Sequence, residues 1–300
     1  MRQAFCRGLI EFAEDPQFAF LTGDLGFAAL ETLRECMGPR FLNAGISEQN
    51  MISVAAGLAK SGLRPWVYSI APFLYARAFE QIRNDVSLHG LPVTLVGNGG
   101  GYGYGVMGST HHALEDYGVL LTLPNMRVYV PAFDSDVTEA IGILMRASHP
   151  GYLRLGLSEQ PAGFEPVPFA PWRRAVPGRG VTVAIMGALA GGVIGAILSA
   201  GLTADVWLVS ELPAPPPAEF LESVRNASLL MAIEEHAAVG GLGDAVSRYL
   251  LCAGVAPRRF IHRCAAGYAS GLYGSQQFHR RECGIDGASI VAALREAAAA

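Results

Sequence analysis

The chain has 300 residues, of which 51% are hydrophobic and 16% charged, with 36 glycines and a formal charge of -4. That length accommodates one large or two ordinary domains, each able to bury a core. The lack of a basic stripe argues against nucleic acid and anionic membranes as partners, while the apolar balance predicts surface buried against another subunit.

In chain order, Met1 to Glu14 alternates apolar and charged residues as an amphipathic helix does, without the apolar core of a signal peptide. Phe18 to Thr22 predicts a strand and Leu30 to Met37 a helix stopped by Gly38-Pro39. Further strands are expected at Arg64–Ser69, Pro92–Gly97 and Gly151–Leu155, with helices at Phe73–His89 and Asp134–Met145. A loop rich in glycine and tyrosine runs from Asn98 to Gly108. Such alternation predicts an α/β fold, a mostly parallel sheet covered by helices, with binding residues in loops beyond the strand ends.

Five prolines between Ser158 and Gly180 predict a linker. Beyond it the alternation resumes, with strands near Val181, Val206, Leu229 and Phe260. The expected organisation is a domain over residues 1–160, a linker over 161–180 and a second domain over 181–300. Val181 to Ala204 carries no charge and has the length of a membrane span, yet it parses as strand, Ala/Gly-rich helix and strand buried on both faces. Cys6, Cys36, Cys252, Cys264 and Cys283 lack the two-residue spacing of zinc or redox pairs, so free thiols in a reducing cytoplasm are expected. Lys60 is the one lysine and the one Schiff-base candidate, near an apparent helix end.

The stretch Phe41–Met51, FLNAGISEQNM, stands out. Its plain reading is a helix start, with Ser47 as N-cap, Glu48 favoured by the helix dipole and Gly62 closing the far end. A chemical reading notes that Glu48 is the only acid between Glu35 and Glu80 and has apolar neighbours. Carboxyl groups held in such surroundings have raised pKa values and serve as proton donors near neutrality.

This stretch, then Ser69-Ile70-Ala71-Pro72-Phe73-Leu74 with Arg77-Ala78-Phe79-Glu80-Gln81-Ile82-Arg83, then Thr110-His111 and Glu115-Asp116, resembles the pyrimidine-binding domain of transketolases in order and spacing. Glu234-Glu235-His236 followed by Gly240-Gly241-Leu242-Gly243 is similar to that family's C-terminal domain. The resemblance implies a thiamine diphosphate-binding fold and a carbon–carbon bond-forming transferase. It implies that Glu48 hydrogen-bonds N1′ of the aminopyrimidine, that Phe73 stacks on that ring, and that Asp24 and Arg77 lie at the cofactor. His111 then lines the substrate channel, with Met107 and Tyr102 on the substrate side, and the adjacent His112 points elsewhere. From the residues alone Phe73 is equally a core aromatic and Asp24 a helix cap; the Gly240–Gly243 cluster either binds an anion at a helix start or permits close packing, the latter being preferred.

Two departures bear on function. The family's Gly-Asp-Gly motif, which holds diphosphate and Mg2+, occurs nowhere in the sequence, so a partner subunit must bring it, in a heterodimer or heterotetramer. The positions of an acidic residue four before the histidine and of an arginine after the first domain's last strand, which bind sugar hydroxyl and phosphate in transketolases, hold Met107 and Leu157, with Arg154 or Tyr102 as replacement phosphate ligands. The resulting expectation is a β-type subunit of a split transketolase-like enzyme. The alternatives are the β subunit of a 2-oxo acid dehydrogenase or acyloin-forming enzyme, and a silent scaffolding paralogue.

Overall fold

The computed structural model describes residues 1–25 and 29–299. The first half runs α1 (Arg2–Ile10), β1 (Phe18–Thr22), α2 (Glu31–Met37), β2 (Phe41–Asn43), α3 (Glu48–Lys60), β3 (Arg64–Ile70), α4 (Ala71–Tyr75), α5 (Phe79–Gln81), β4 (Thr94–Asn98), α6 (Asp116–Leu120), β5 (Arg127–Tyr129), α7 (Asp134–Arg146) and β6 (Gly151–Leu155). The second half runs β7 (Trp172–Val176), β8 (Val181–Met186), α8 (Ala190–Ser199), β9 (Ala204–Val209), β10 (Glu211–Leu212), α9 (Ala218–Asn226), β11 (Leu229–Glu234), α10 (Leu242–Cys252), β12 (Phe260–Arg263), α11 (Gln276–Glu282) and α12 (Gly287–Ala299).

The strands form two sheets, ordered β10-β5-β6-β4-β3-β1-β2 and β12-β11-β8-β9-β7. Each is parallel except for one antiparallel edge strand, β10 against β5 and β7 against β9. The sequence explains the parallel centre: β1 is FAFLT, apolar at every position but the last and buried throughout, as a strand covered on both faces must be. One face packs on α1 and α7, where Phe5, Phe18, Phe20 and Trp66 interlock; the other packs on α3 and α4 through Ile52, Ala55 and Leu74. Burial of one such side chain stabilises by roughly 1.5–3 kcal/mol.

The uncharged stretch from Val181 is β8, α8 and the start of β9, and no helix among the described residues is long and apolar enough to cross a membrane. Two expectations need correction. Residues of the expected linker form β7, which hydrogen-bonds β9 and carries Trp172, whose indole N–H donates to Ala214 O at 2.9 Å. Pro171 and Pro177 bracket this strand, a pattern an edge strand tolerates because it needs fewer N–H donors. The expected Phe73–His89 helix is broken: α4 stops at Tyr75, Ala76–Ala78 leave the helical path, and Ile82–Ser87 form wide π-type turns that keep Ile82 and Val86 buried. Arg77 sits in that break.

Candidate functional site

Asp24, Glu48 and Phe73 lie just beyond the carboxyl ends of β1, β2 and β3, and His111 comes from the longer loop that follows β4, the usual end for ligands in an open parallel sheet. Glu48 is the first residue of α3 and only 3% exposed. Ser47, expected to cap α3, instead donates its hydroxyl back to Ala44 O at 2.5 Å, which tightens the turn before Glu48. Far along α3, Gly62 at φ 92° ends the helix with its N–H on Ala59 O, a left-handed cap that glycine adopts without strain.

The surroundings of Glu48 are not the purely apolar ones expected. Arg77 donates to Oε2 at 2.6 Å, and Ser69, at the end of β3, reaches Oε1 at 3.5 Å. Arg77 also lies over the half-buried Phe73 ring, 4.6 Å from its centroid. His111 meets the same ring edge-on at 5.1 Å, and its Nδ1 is 2.9 Å from the Thr110 hydroxyl. Tyr104 flanks His111 at 5.8 Å and accepts from the Asn98 amide at 2.8 Å. Glu48, Arg77, Phe73 and His111 are thus one contact chain. Asp24 is joined to it through the turn, its N–H on Gly45 O at 3.1 Å and its carboxylate accepting from Asn43 at 3.3 Å, beside a cleft of about 200 Å³.

Sequence reasoning assigned no role to Ser69, Asn98, Thr110 or Tyr104. Ser69 and Asn98 carried a signal, a polar residue at the carboxyl end of an apolar strand. Tyr102, expected on the substrate side, is fully buried: its N–H donates to Glu235 and its hydroxyl to Gly267 O at 2.7 Å. Arg154, named as a replacement phosphate ligand, is also committed inside. It donates to Asp116 at 2.9 Å and to the carbonyls of Ala113 and Glu235. Although burial alone would disfavour its charge, Asp116 holds the Arg154 pKa above its ordinary value. Met107 and Leu157 are on the surface, 55% and 63% exposed.

The Glu234-Glu235-His236 motif joins the two domains. Glu234 accepts from the N–H groups of Leu242 and Gly243 at 2.7 and 2.9 Å, from His262 at 2.7 Å, and from the Tyr117 hydroxyl of the first domain. Burial opposes its charge, but His262, His236, Tyr117 and the Gly243 N–H hold its pKa below the ordinary carboxylate value. The anion at the start of α10 is therefore the protein's own. The glycines there permit this approach, since a β-carbon on Gly241 or Gly243 would stand 2.2 Å from Glu234 or 2.5 Å from the His262 ring.

The chain is similar to known proteins. The transketolase pyrimidine-binding domain family matches residues 1–161. An apulose-4-phosphate transketolase subunit of Actinobacillus succinogenes is 30% identical over 84% of this chain and 83% of its own length. A putative transketolase C-terminal section of Methanocaldococcus jannaschii is 28% identical over 99% of this chain and 95% of its own length. A solved structure described as a split gene transketolase, inactive β4 tetramer, superposes with a TM-score of 0.82 at 30% identity, covering 99% of this chain and 97% of that one.

Proposed function

This chain belongs to the transketolase family, as a β-type section of the split kind, and from that premise we propose that it acts only when a partner subunit completes its site. The family generally uses thiamine diphosphate, which supplies the carbanion chemistry when bound. The residues present fit that cofactor's aminopyrimidine end. Among the described residues Glu48 Oε1 has only the long Ser69 contact and keeps accepting capacity, and Phe73 offers a flat, half-buried face beside it. Glu48 would hold and return a proton at the ring nitrogen N1′, with Arg77 and Ser69 fixing its carboxylate. Phe73, Arg77 and Asp24 would hold the ring, and His111 would exchange protons with the carbonyl or hydroxyl of the transferred unit. Diphosphate and Mg2+ would be held by the partner through its Gly-Asp-Gly motif.

The observation that carries this reading is a carboxylate buried at the sheet's carboxyl edge, in one contact chain with a half-buried aromatic and a histidine. Glu48→Gln tests it. The amide keeps the hydrogen bond but cannot shuttle the proton, so exchange of the cofactor C2 proton with deuterated water in the assembled complex should slow by at least about a hundredfold. An unchanged exchange rate removes Glu48 from the mechanism.

A further inference from the structure

His111 follows a single 3-10 turn, Gly105–Met107, whose own bonds are few: the Gly108 N–H on Gly105 O at 3.2 Å and the His111 N–H on Gly108 O at 3.0 Å. Between Tyr104 and His112 the chain contains Gly105 and Gly108, both at positive φ (48° and 77°), and residues 106, 107, 109 and 110 are exposed. Glycine hinges of this kind cost backbone entropy to fix. Besides the turn's own backbone bonds, side-chain contacts that hold it come from the second domain, from the loop between β12 and α11. The Tyr273 ring lies 3.2 Å from where a Gly108 β-carbon would be, a seat only glycine leaves open, and its hydroxyl donates to Ser109 at 3.1 Å.

The other end of the segment is held through the buried His112. Its Nε2 is 2.8 Å from Gly105 O, which can only accept, so Nε2 carries the proton and Nδ1 accepts from the Tyr268 hydroxyl at 2.8 Å. Tyr268 and Tyr273 brace each other edge to face at 5.2 Å. Burial pushes the Tyr268 phenol up to about 12, which keeps it a donor near neutrality. The segment is thus gripped at Gly108–Ser109 and again at His112, with His111 between the two grips.

We propose that Tyr268 and Tyr273 are positioning residues for His111, so that the second domain sets the orientation of the substrate-facing imidazole although it is more than 150 residues away in sequence. The proposal rests on the reading above, in which His111 serves the transferred unit. Phenylalanine at either position keeps the ring packing and removes only the hydroxyl. Ser109→Ala breaks the Tyr273 contact from the first-domain side.

In the full chain by itself, Tyr273→Phe and Tyr268→Phe should each shift the His111 ring NMR signal, assigned by its loss in His111→Asn, while the other amide signals stay in place. In the complex with the partner subunit, Tyr273→Phe and Ser109→Ala should each lower kcat/KM by about tenfold, as a small misplacement of a reacting group does. C2 proton exchange, which depends on Glu48, should stay within about twofold. In a His111→Asn background neither change should cost anything further. An unmoved His111 signal in both tyrosine variants, equal losses with and without His111, or exchange falling in step with turnover would overturn the proposal. A wild-type complex without thiamine-dependent turnover would instead overturn the family-based reading, and the His111 signal would still decide whether the tyrosines grip this segment.

Discussion

Gly97, near the end of β4, has no room for a side chain: a β-carbon there would lie 2.2 Å from the hydroxyl of Tyr152, which is itself fixed on Asp116 at 2.7 Å. Gly97→Ala should therefore overpack the sheet and cost about 1–3 kcal/mol in urea unfolding. Behind it, Arg154 and Asp116 form a buried pair whose members are 6% and 0% exposed. Arg154→Met leaves Asp116 buried without its counter-charge, so stability should fall by about 3–5 kcal/mol. A loss of under about 1 kcal/mol would contradict the role given to this ion pair. Gly97 and Arg154 lie on the adjacent interior strands β4 and β6 of the first sheet.

At the scale of elements, the domain contact contains imidazoles that folding keeps neutral. His112 packs between the 105–112 turn and the Tyr268 loop, and His279 of α11 stacks on Tyr102 at 4.7 Å. Burial lowers the pKa of both below the ordinary 6.5, while Glu235, Glu282 and His111 are the other titrating groups that act on them. The unfolded chain therefore takes up protons first as pH falls, so this part of the stability is whole above about 6.5 and is lost below it. Glu234 acts over a lower window: its folded pKa is below its ordinary 4.5, so its contribution is present above that value and lost as pH falls beneath it. Calorimetry from pH 8 to pH 4 should show Tm falling below about 6.5 and again below about 4.5. Glu234→Gln should lower Tm at pH 7 and flatten the second fall. A Tm constant from pH 7 to 5.5 would contradict the role given to the two histidines.

For the whole molecule, the chain without a partner is expected to bind thiamine diphosphate weakly and to show no turnover, because the charge-assisted contacts to diphosphate and Mg2+ are missing from its sequence. Activity of the purified single chain would refute this. The proposal on substrate choice turns on surface positions. Met107 and Leu157 offer no hydrogen bonds, and Arg154 and Tyr102 are too deep to replace them. Polar substrate groups left without partners cost roughly 1–3 kcal/mol each. In the reconstituted complex, xylulose 5-phosphate should have no advantage in kcat/KM over unphosphorylated ketoses or small 2-oxo acids. If it wins clearly, the inference drawn from these two positions is wrong.

The alternation of apolar runs with helix formers determined the two-sheet α/β fold, because strands buried on both faces must be apolar and close together along the chain. Glu48 and Phe73 follow β2 and β3 by only a few residues, so local spacing fixes which end of the sheet they occupy, whereas His111 stands thirteen residues past β4 and was singled out only by its likeness to the transketolase motifs. The sequence could not reveal that Arg77 turns back to Glu48, because that depends on a helix breaking at Ala76–Ala78. Nor could it show that Arg154 is spent on Asp116, that Glu234 closes α10, or that two tyrosines near the end of the chain grip the histidine loop. Those contacts join residues 38, 8 and more than 150 positions apart. Glu234 and the start of α10 are close in sequence, but the reach of Tyr117 to Glu234 depends on how the two sheets pack. Only the tertiary structure decides such contacts, because strand order and domain packing, and not distance along the chain, set which side chains share a buried space.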